Sequence, residues 1–394
     1  MPEIELKNIT KRFGKVMAAD NINLKIKDGE YVTVLGPSGC GKTTLVKIIS
    51  GIWEPTEGEC FIDGKKVNGI PTYERDLGYI FQNIALFPHM TVWQNTNYAP
   101  IVKDWDREKG ERTTRESLEL VKMLKRKGFK PFELSGGEKQ KVGIARALCA
   151  GSKLLILDEP LSALDARVRL ELRYEIKRLV KRRGLTAVHV THDQEEAMST
   201  SDRIVLMRAG RIIEVDTPEN MYNRPKSLFT ANFIGEANFI EGTIIGCGEH
   251  HDDDDDHDDD DDDDDDESEE YIECDSDEYI METRNKHHLV IKNRGGKFHE
   301  GDDVVVMVRP ENLSISHRKK EHCLDGKITD KIFMGSYMRY MIELCTDDTV
   351  LVEVPEADDK TFNIGDTINV KFRPKKLLVY PQPREGLKEV LSLE

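Results

Sequence analysis

Residues 36–43 read GPSGCGKT, the pattern G-x-x-x-x-G-K-[ST], set after an apolar run and before a helical one. In that setting the backbone N–H groups of the loop cradle phosphates. Gly36, Gly39 and Gly41 let the chain wrap a triphosphate, and Pro37, Ser38 and Cys40 are expected to line the same ligand. Lys42 supplies a point charge to the β- and γ-phosphates, the Thr43 hydroxyl can ligate Mg²⁺, and Thr44 reaches the α-phosphate side. The stretch LLILDEP at 154–160 is the acidic complement. Its apolar residues bury a strand, Asp158 emerges near the metal, and Glu159 is placed to polarise an attacking water. The strand TAVHVTHD ends in His192, a candidate for γ-phosphate contact, whereas His189 alternates inside the strand and is expected to pack. Gln82 follows the short run YIF, and its position fits either loop filler or a water or metal contact. A second glycine-rich stretch, LSGGEK at 134–139, opens a helix with Ser135, Gly136 and Gly137. Their N–H groups and the helix dipole form an anion site. With no Lys-Thr pair, no preceding apolar strand and no metal carboxylate, that stretch can hold the end of a triphosphate but not a nucleotide.

These residues need a scaffold of alternating strands and helices. YVTVLG, KLLILDE and LTAVHVTH are continuous apolar runs of the kind buried in a parallel sheet, with helices expected over 41–52, 136–150 and 165–183. IELKNI, INLKIKDG and ECFIDGKKV alternate with period two and predict an additional antiparallel sheet. After about Gly235 the pattern changes to short strands separated by Gly, Asp and Pro turns, among them DVVVMVRP, YMRYMIEL and TVLVEVP. The expected architecture is an α/β P-loop NTPase domain at 1–235, then a small all-β, OB-like barrel domain at 236–394.

Composition bounds the rest. The chain of 394 residues carries a formal charge of -17, but residues 252–266 hold fourteen aspartates, and without them the charge is -17 + 14 = -3. The remainder is nearly balanced, which argues against a nucleic-acid partner. Charges spaced about 3.4 Å along an extended chain repel well inside a Debye length of roughly 8 Å. A solvated, disordered insertion at about 249–270 is therefore expected; loose cation binding with His250, His251 and His257 is the sharper alternative. No apolar run reaches 18 residues and no apolar segment follows Met1, so neither a membrane span nor a secretion signal is expected. The seven cysteines form no C-x-x-C pair, which suits a reduced, cytosolic setting.

Taken together, the loop at 36–43, Gln82, LSGGE at 134–138, LLILDEP, SALD at 162–165 and His192 resemble the ATP-binding-cassette (ABC) ATPases, in that family's order and spacing across the first 235 residues. The resemblance implies that Phe13 in KRFG stacks on adenine. It makes Asp165 the D-loop aspartate and Gln82 the Q-loop glutamine, which couples nucleotide state to a membrane partner. It also implies that LSGGE faces the γ-phosphate held by Lys42 of a second copy, so the chain acts as a homodimer; Glu138 stands where Gln is commoner. The stretch DTPENMYNRPKSLFTANFIGEANFIEGTI, the strands after it and VVVMVRPENLSI look like importer ATPases with a C-terminal transport-associated OB (TOBE) domain. Within that group GEANFIEG is nearer the polyamine and ferric-iron branch than the sugar branch. The implied protein hydrolyses ATP, with Mg²⁺, at the cytoplasmic face of the membrane, under separate permease subunits fed by an external solute-binding protein. Polyamine is the expected solute, with iron(III) or sugar as alternatives. Phe87, Pro88 and His89 mark the expected groove for a permease helix. A soluble cassette acting on nucleic acid or ribosomes is the reading of another class; the single cassette and the absence of sustained heptads argue against it.

Overall fold

The computed structural model describes residues 3–82, 85–162, 164–247, 278–292, 298–318, 323–356 and 362–392. The acidic run, and the expectation attached to it, lie outside these. Two compact units emerge, Met1–Asn223 and Arg224–Ser392.

In the first unit, β1 (Ile4–Phe13) and β2 (Val16–Ile26) form a long antiparallel pair. With β4 (Glu57–Ile62) and β5 (Lys65–Lys66) they make the sheet β2-β1-β4-β5. The strands β3 (Tyr31–Leu35), β6 (Leu77–Ile80), β7 (Leu154–Asp158), β8 (Thr186–Val190), β9 (Arg203–Arg208) and β10 (Arg211–Asp216) order as β10-β9-β3-β8-β7-β6. All pairings in that sheet are parallel except β10 with β9. Every residue of β3, β7 and β8 is buried, because both faces of the sheet are covered. Strand periodicity divides them between two cores. Val32, Val34, Leu154, Ile156, Val188 and Val190 pack towards α1 (Lys42–Ile49) and the antiparallel sheet. Tyr31, Leu155, Leu157 and Ala187 pack on the opposite face, under α5 (Gly136–Cys149) and α6 (Ala166–Arg183). Between β6 and α5 the chain forms α2 (Val92–Thr96), α3 (Tyr98–Val102) and α4 (Arg107–Leu120), while α7 (Gln194–Thr200) and α8 (Pro218–Asn223) flank β9 and β10.

The second unit begins twelve residues before the sequence pattern changes. Its first helix, α9 (Leu228–Phe233), buries Phe229 and Phe233. Arg309 donates to the carbonyls of Ala231 and Glu236, and Tyr380 Oη donates to Pro225 O at 2.6 Å. Those bonds tie the segment after Asn223 to the β-domain, so the boundary expected at Gly235 moves to Arg224. Ten strands follow among the described residues: β11 (Asn238–Cys247), β12 (Glu278–Thr283), β13 (His288–Lys292), β14 (Asp303–Val308), β15 (Ser314–Ser316), β16 (Cys323–Phe333), β17 (Tyr337–Leu344), β18 (Thr349–Pro355), β19 (Thr367–Lys371) and β20 (Leu378–Pro381). They pair as β13-β12-β11-β14-β20 and β15-β19-β16-β17-β18, two sheets around one apolar core. A short helix, α10 (Leu387–Leu391), ends the described chain.

Candidate functional site

The loop from β3 to α1 is built on two glycines that no other residue could replace. Gly36 has φ +155 and Gly41 φ +103, and a Cβ on them would lie 2.2 Å from Met207 O and 2.1 Å from Ala18 O. The loop is thereby seated on the backbones of β9 and β2. Pro37, Ser38 and Gly39 form its turn, and Cys40 is buried beneath it, with burial pushing its thiol pKa up. Lys42 is buried as well. Its amine donates to the carbonyls of Gly36 at 2.8 Å and Pro37 at 2.7 Å, so the charge sits inside the loop's own curve. Thr44 is buried in the first turn of α1.

Two side chains beyond the loop meet Asp158 at the carboxyl end of β7. Thr43 Oγ1 donates to it at 3.2 Å and Tyr79 Oη at 3.1 Å. Burial raises the Asp158 pKa, partly offset by those two hydrogen bonds and by the charge of Lys47. A buried carboxylate and a hydroxyl, with no ion-pair partner among the described residues, are a fitting pair of oxygen ligands for Mg²⁺. That ion takes one or two protein oxygens and completes its shell with water and phosphate. Among the described residues no group of three or more His, Cys, Asp and Glu could hold a metal unaided.

The next residue, Glu159, has φ +46, which turns the chain sharply after the strand. Gln82 Nε2 donates to its Oε2 at 2.7 Å, and His192 Nδ1 stands 3.4 Å from Oε1. Glu159 is mostly buried while the His192 side chain is 60% exposed. The ends of β6, β7 and β8 thus bring an amide, a carboxylate and an imidazole together, an arrangement able to orient a water and accept its proton. Behind them, His189 is fully buried against Tyr31 Oη, and burial lowers its pKa, so it is neutral packing as its alternation implies. Thr191 and Glu196, joined at 2.6 Å, lie beneath the His192 turn.

Other candidates lie apart from this cluster. Phe13, 42% exposed at the tip of the β1–β2 hairpin, packs edge-on against Trp53 at 4.9 Å. Ser135 is the N-cap of α5. Its Oγ accepts from Glu138 N at 3.3 Å, and Ser135 N donates to Glu138 Oε2 at 2.9 Å. The amides of Gly136 and Gly137 lie in the first turn, beyond reach of intrahelical carbonyls. Glu138 closes this capping box and pairs with Arg126 at 2.8 Å. Asp165 accepts from Val168 N at 3.0 Å and so caps α6. Within one chain, no hydrogen bond or ion pair among the described residues joins Ser135, Gly136, Gly137, Glu138 or Asp165 to the Lys42–Asp158 cluster. Sequence reasoning missed Tyr79. Its only signal was a hydroxyl two residues before the run's end, on a strand whose neighbour was not yet known.

Residues 19–162 match the ABC transporter family and 306–379 the TOBE domain family. The spermidine/putrescine import ATP-binding protein PotA of Lawsonia intracellularis is 38% identical over 376 residues, covering 94% of this chain and 95% of that protein. PotA of Clostridioides difficile is also 38% identical, covering 86% and 88%, and that of Thermotoga maritima is 36% identical, covering 87% of each. Among solved structures, the dimeric post-hydrolysis state of the ATP-binding cassette MJ0796, bound to ADP and Pi, is 33% identical with a TM-score of 0.51. It covers 55% of this chain and 98% of that one.

Proposed function

This chain belongs to the ABC transporter family of ATP-binding subunits, enzymes that hydrolyse ATP to drive transport, and we propose that it powers uptake of a polyamine, spermidine or putrescine. The observation that carries the solute is that likeness to polyamine import subunits runs through both domains, not the cassette alone. In this reading Lys42 swings from the carbonyls of Gly36 and Pro37 onto the β- and γ-phosphates, while the loop amides of residues 37–41 hold the remaining oxygens. Thr43 and Asp158 hold Mg²⁺, which when bound neutralises charge on the phosphates; Gln82 is the further candidate ligand. Glu159 takes the proton of the attacking water, Gln82 orients that carboxylate, and His192 contacts the γ-phosphate. Phe13 stacks on adenine.

The chain works as a homodimer in which Ser135, Gly136 and Gly137 of one copy face the triphosphate on Lys42 of the other. The first-turn amides of α5 support this, since a helix N-terminus with free N–H groups is suited to hold an anion. Asp165 lines the same junction, and Glu138 contributes indirectly by fixing the cap. The dimer sits peripherally at the cytoplasmic face beneath permease subunits, which contact it near Phe87, Pro88 and His89, and an external binding protein delivers the solute. Among the described residues no helix is long and apolar enough to cross a membrane. Two measurements test the proposal. Mixed dimers of Lys42→Ala and Ser135→Arg chains should regain hydrolysis absent from either variant alone, and no gain on mixing would overturn the shared site. With the permease reconstituted, spermidine-loaded binding protein should stimulate hydrolysis; stimulation by iron or sugar instead would overturn the polyamine assignment.

A further inference from the structure

The β-domain contains a cleft of about 440 Å³ whose lining is strongly cationic. Five of its residues are basic: Lys292, Lys371, Arg373, Lys375 and Lys376. One acid, Glu278, shares the cleft and pairs with Lys292 across β12 and β13. Four positive side chains remain, and none has an ion-pair partner among the described residues. Four like charges in one concavity repel one another, and a cleft concentrates their field.

The backbone holds them there. Lys371 ends β19, and the sequence continues Phe372-Arg373-Pro374-Lys375-Lys376-Leu377. Phe372 and Leu377 are buried in the domain core and pin the segment at both ends. Between the pins, Lys376 N donates to Arg373 O at 2.8 Å and Leu377 N to Pro374 O at 3.3 Å, closing a tight turn. The cations are therefore presented on a braced frame, which reduces the ordering cost of binding. Val290 and Pro374 give the cleft an apolar floor. Its volume is in the range of small-molecule sites, too small for a duplex or a lipid surface to enter.

We propose that this cleft is a binding site for a small, multiply charged anion, a phosphate ester or polycarboxylate, separate from the nucleotide site of the first domain. Arg373 supplies paired planar donors for the anion's oxygens, and Lys371, Lys375 and Lys376 supply point charges around it. The test is calorimetric titration of the full chain, with its nucleotide site first saturated by a non-hydrolysable ATP analogue. Inorganic pyrophosphate and citrate are the two probes, which separate phosphate from carboxylate preference. The expected result is one site for at least one probe, weakened by added salt and weakened about tenfold or more by Lys375→Glu or Arg373→Gln, each losing a charge-assisted contact. Nucleotide affinity and the unfolding curve should match wild type in both variants. Equal affinity in wild type and both variants would overturn the proposal, as would binding of neither probe. Binding that emerges only after the aspartates of 252–266 are changed to asparagine would overturn it too, because the chain's own acid would then be the occupant.

Discussion

At the scale of single residues, environment gives two adjacent carboxylates different work. Glu159 reaches the mouth of the cluster, where Gln82 and His192 meet it. Glu159→Gln keeps the shape but cannot accept a proton, so phosphate release should fall by about 10²–10⁴-fold while nucleotide binding in a filter assay stays near wild type. Asp158 is enclosed instead, and burial raises its pKa. An acid whose folded pKa is raised contributes stability that is full below its unfolded pKa and lost as pH rises through the folded one. The metal-free protein therefore carries a destabilising charge at neutral pH. Asp158→Asn should raise the melting temperature of the metal-free protein at pH 7, the gain shrinking as pH falls into the ordinary carboxylate range, while hydrolysis is lost. A lower melting temperature at pH 7 would show that the hydrogen bonds from Thr43 and Tyr79 outweigh desolvation.

At the scale of elements, the nucleotide loop depends on a helix fixed at both ends. The start of α1 is set by Gly41, and its C-terminal end by Arg75, a buried guanidinium from the chain before β6. Arg75 donates to Ile48 O and Ile49 O at 2.9 Å each, to Val67 O at 2.7 Å and to Ile70 O at 2.8 Å. Arg75→Leu would strand those carbonyls, and each unmet buried group costs about 1–3 kcal/mol. A loss of about 3 kcal/mol or more in urea denaturation is expected, together with weaker ATP binding as α1 loosens. The sequence displayed the helix pattern but not this clamp, because Arg75 reads as a surface cation in a turn until its surroundings are known. Capping shows the same ambiguity. Ser135 and Asp165 are typed for ligand contact by family motif, yet within one chain their oxygens cap α5 and α6.

At the scale of the whole molecule, the first unit carries two cores and the second carries one, and charge is distributed unequally along the chain. The β-domain core closes on itself with two sheets, so residues 224–392 expressed alone should give a β-type circular dichroism spectrum and a cooperative melt. An unfolded fragment would show that the first unit is required for it. The sequence by itself determined the strands, the parallel and antiparallel classes and the phosphate loop, because periodicity and glycine spacing act over a few residues. It also supplied the proposed catalytic residues, of which Gln82, Glu159 and His192 each stand just past an apolar run. Tertiary structure alone decided which of those ends converge. Thr43 meets Asp158 across 115 positions, Tyr79 meets Asp158 across 79, and Gln82 meets Glu159 across 77. Those pairings follow from the strand order β3-β8-β7-β6, which the packing of both faces selects and no local pattern encodes. The cationic cleft arises the same way, from a lysine-rich turn that reads as solvated surface until β13 folds against it.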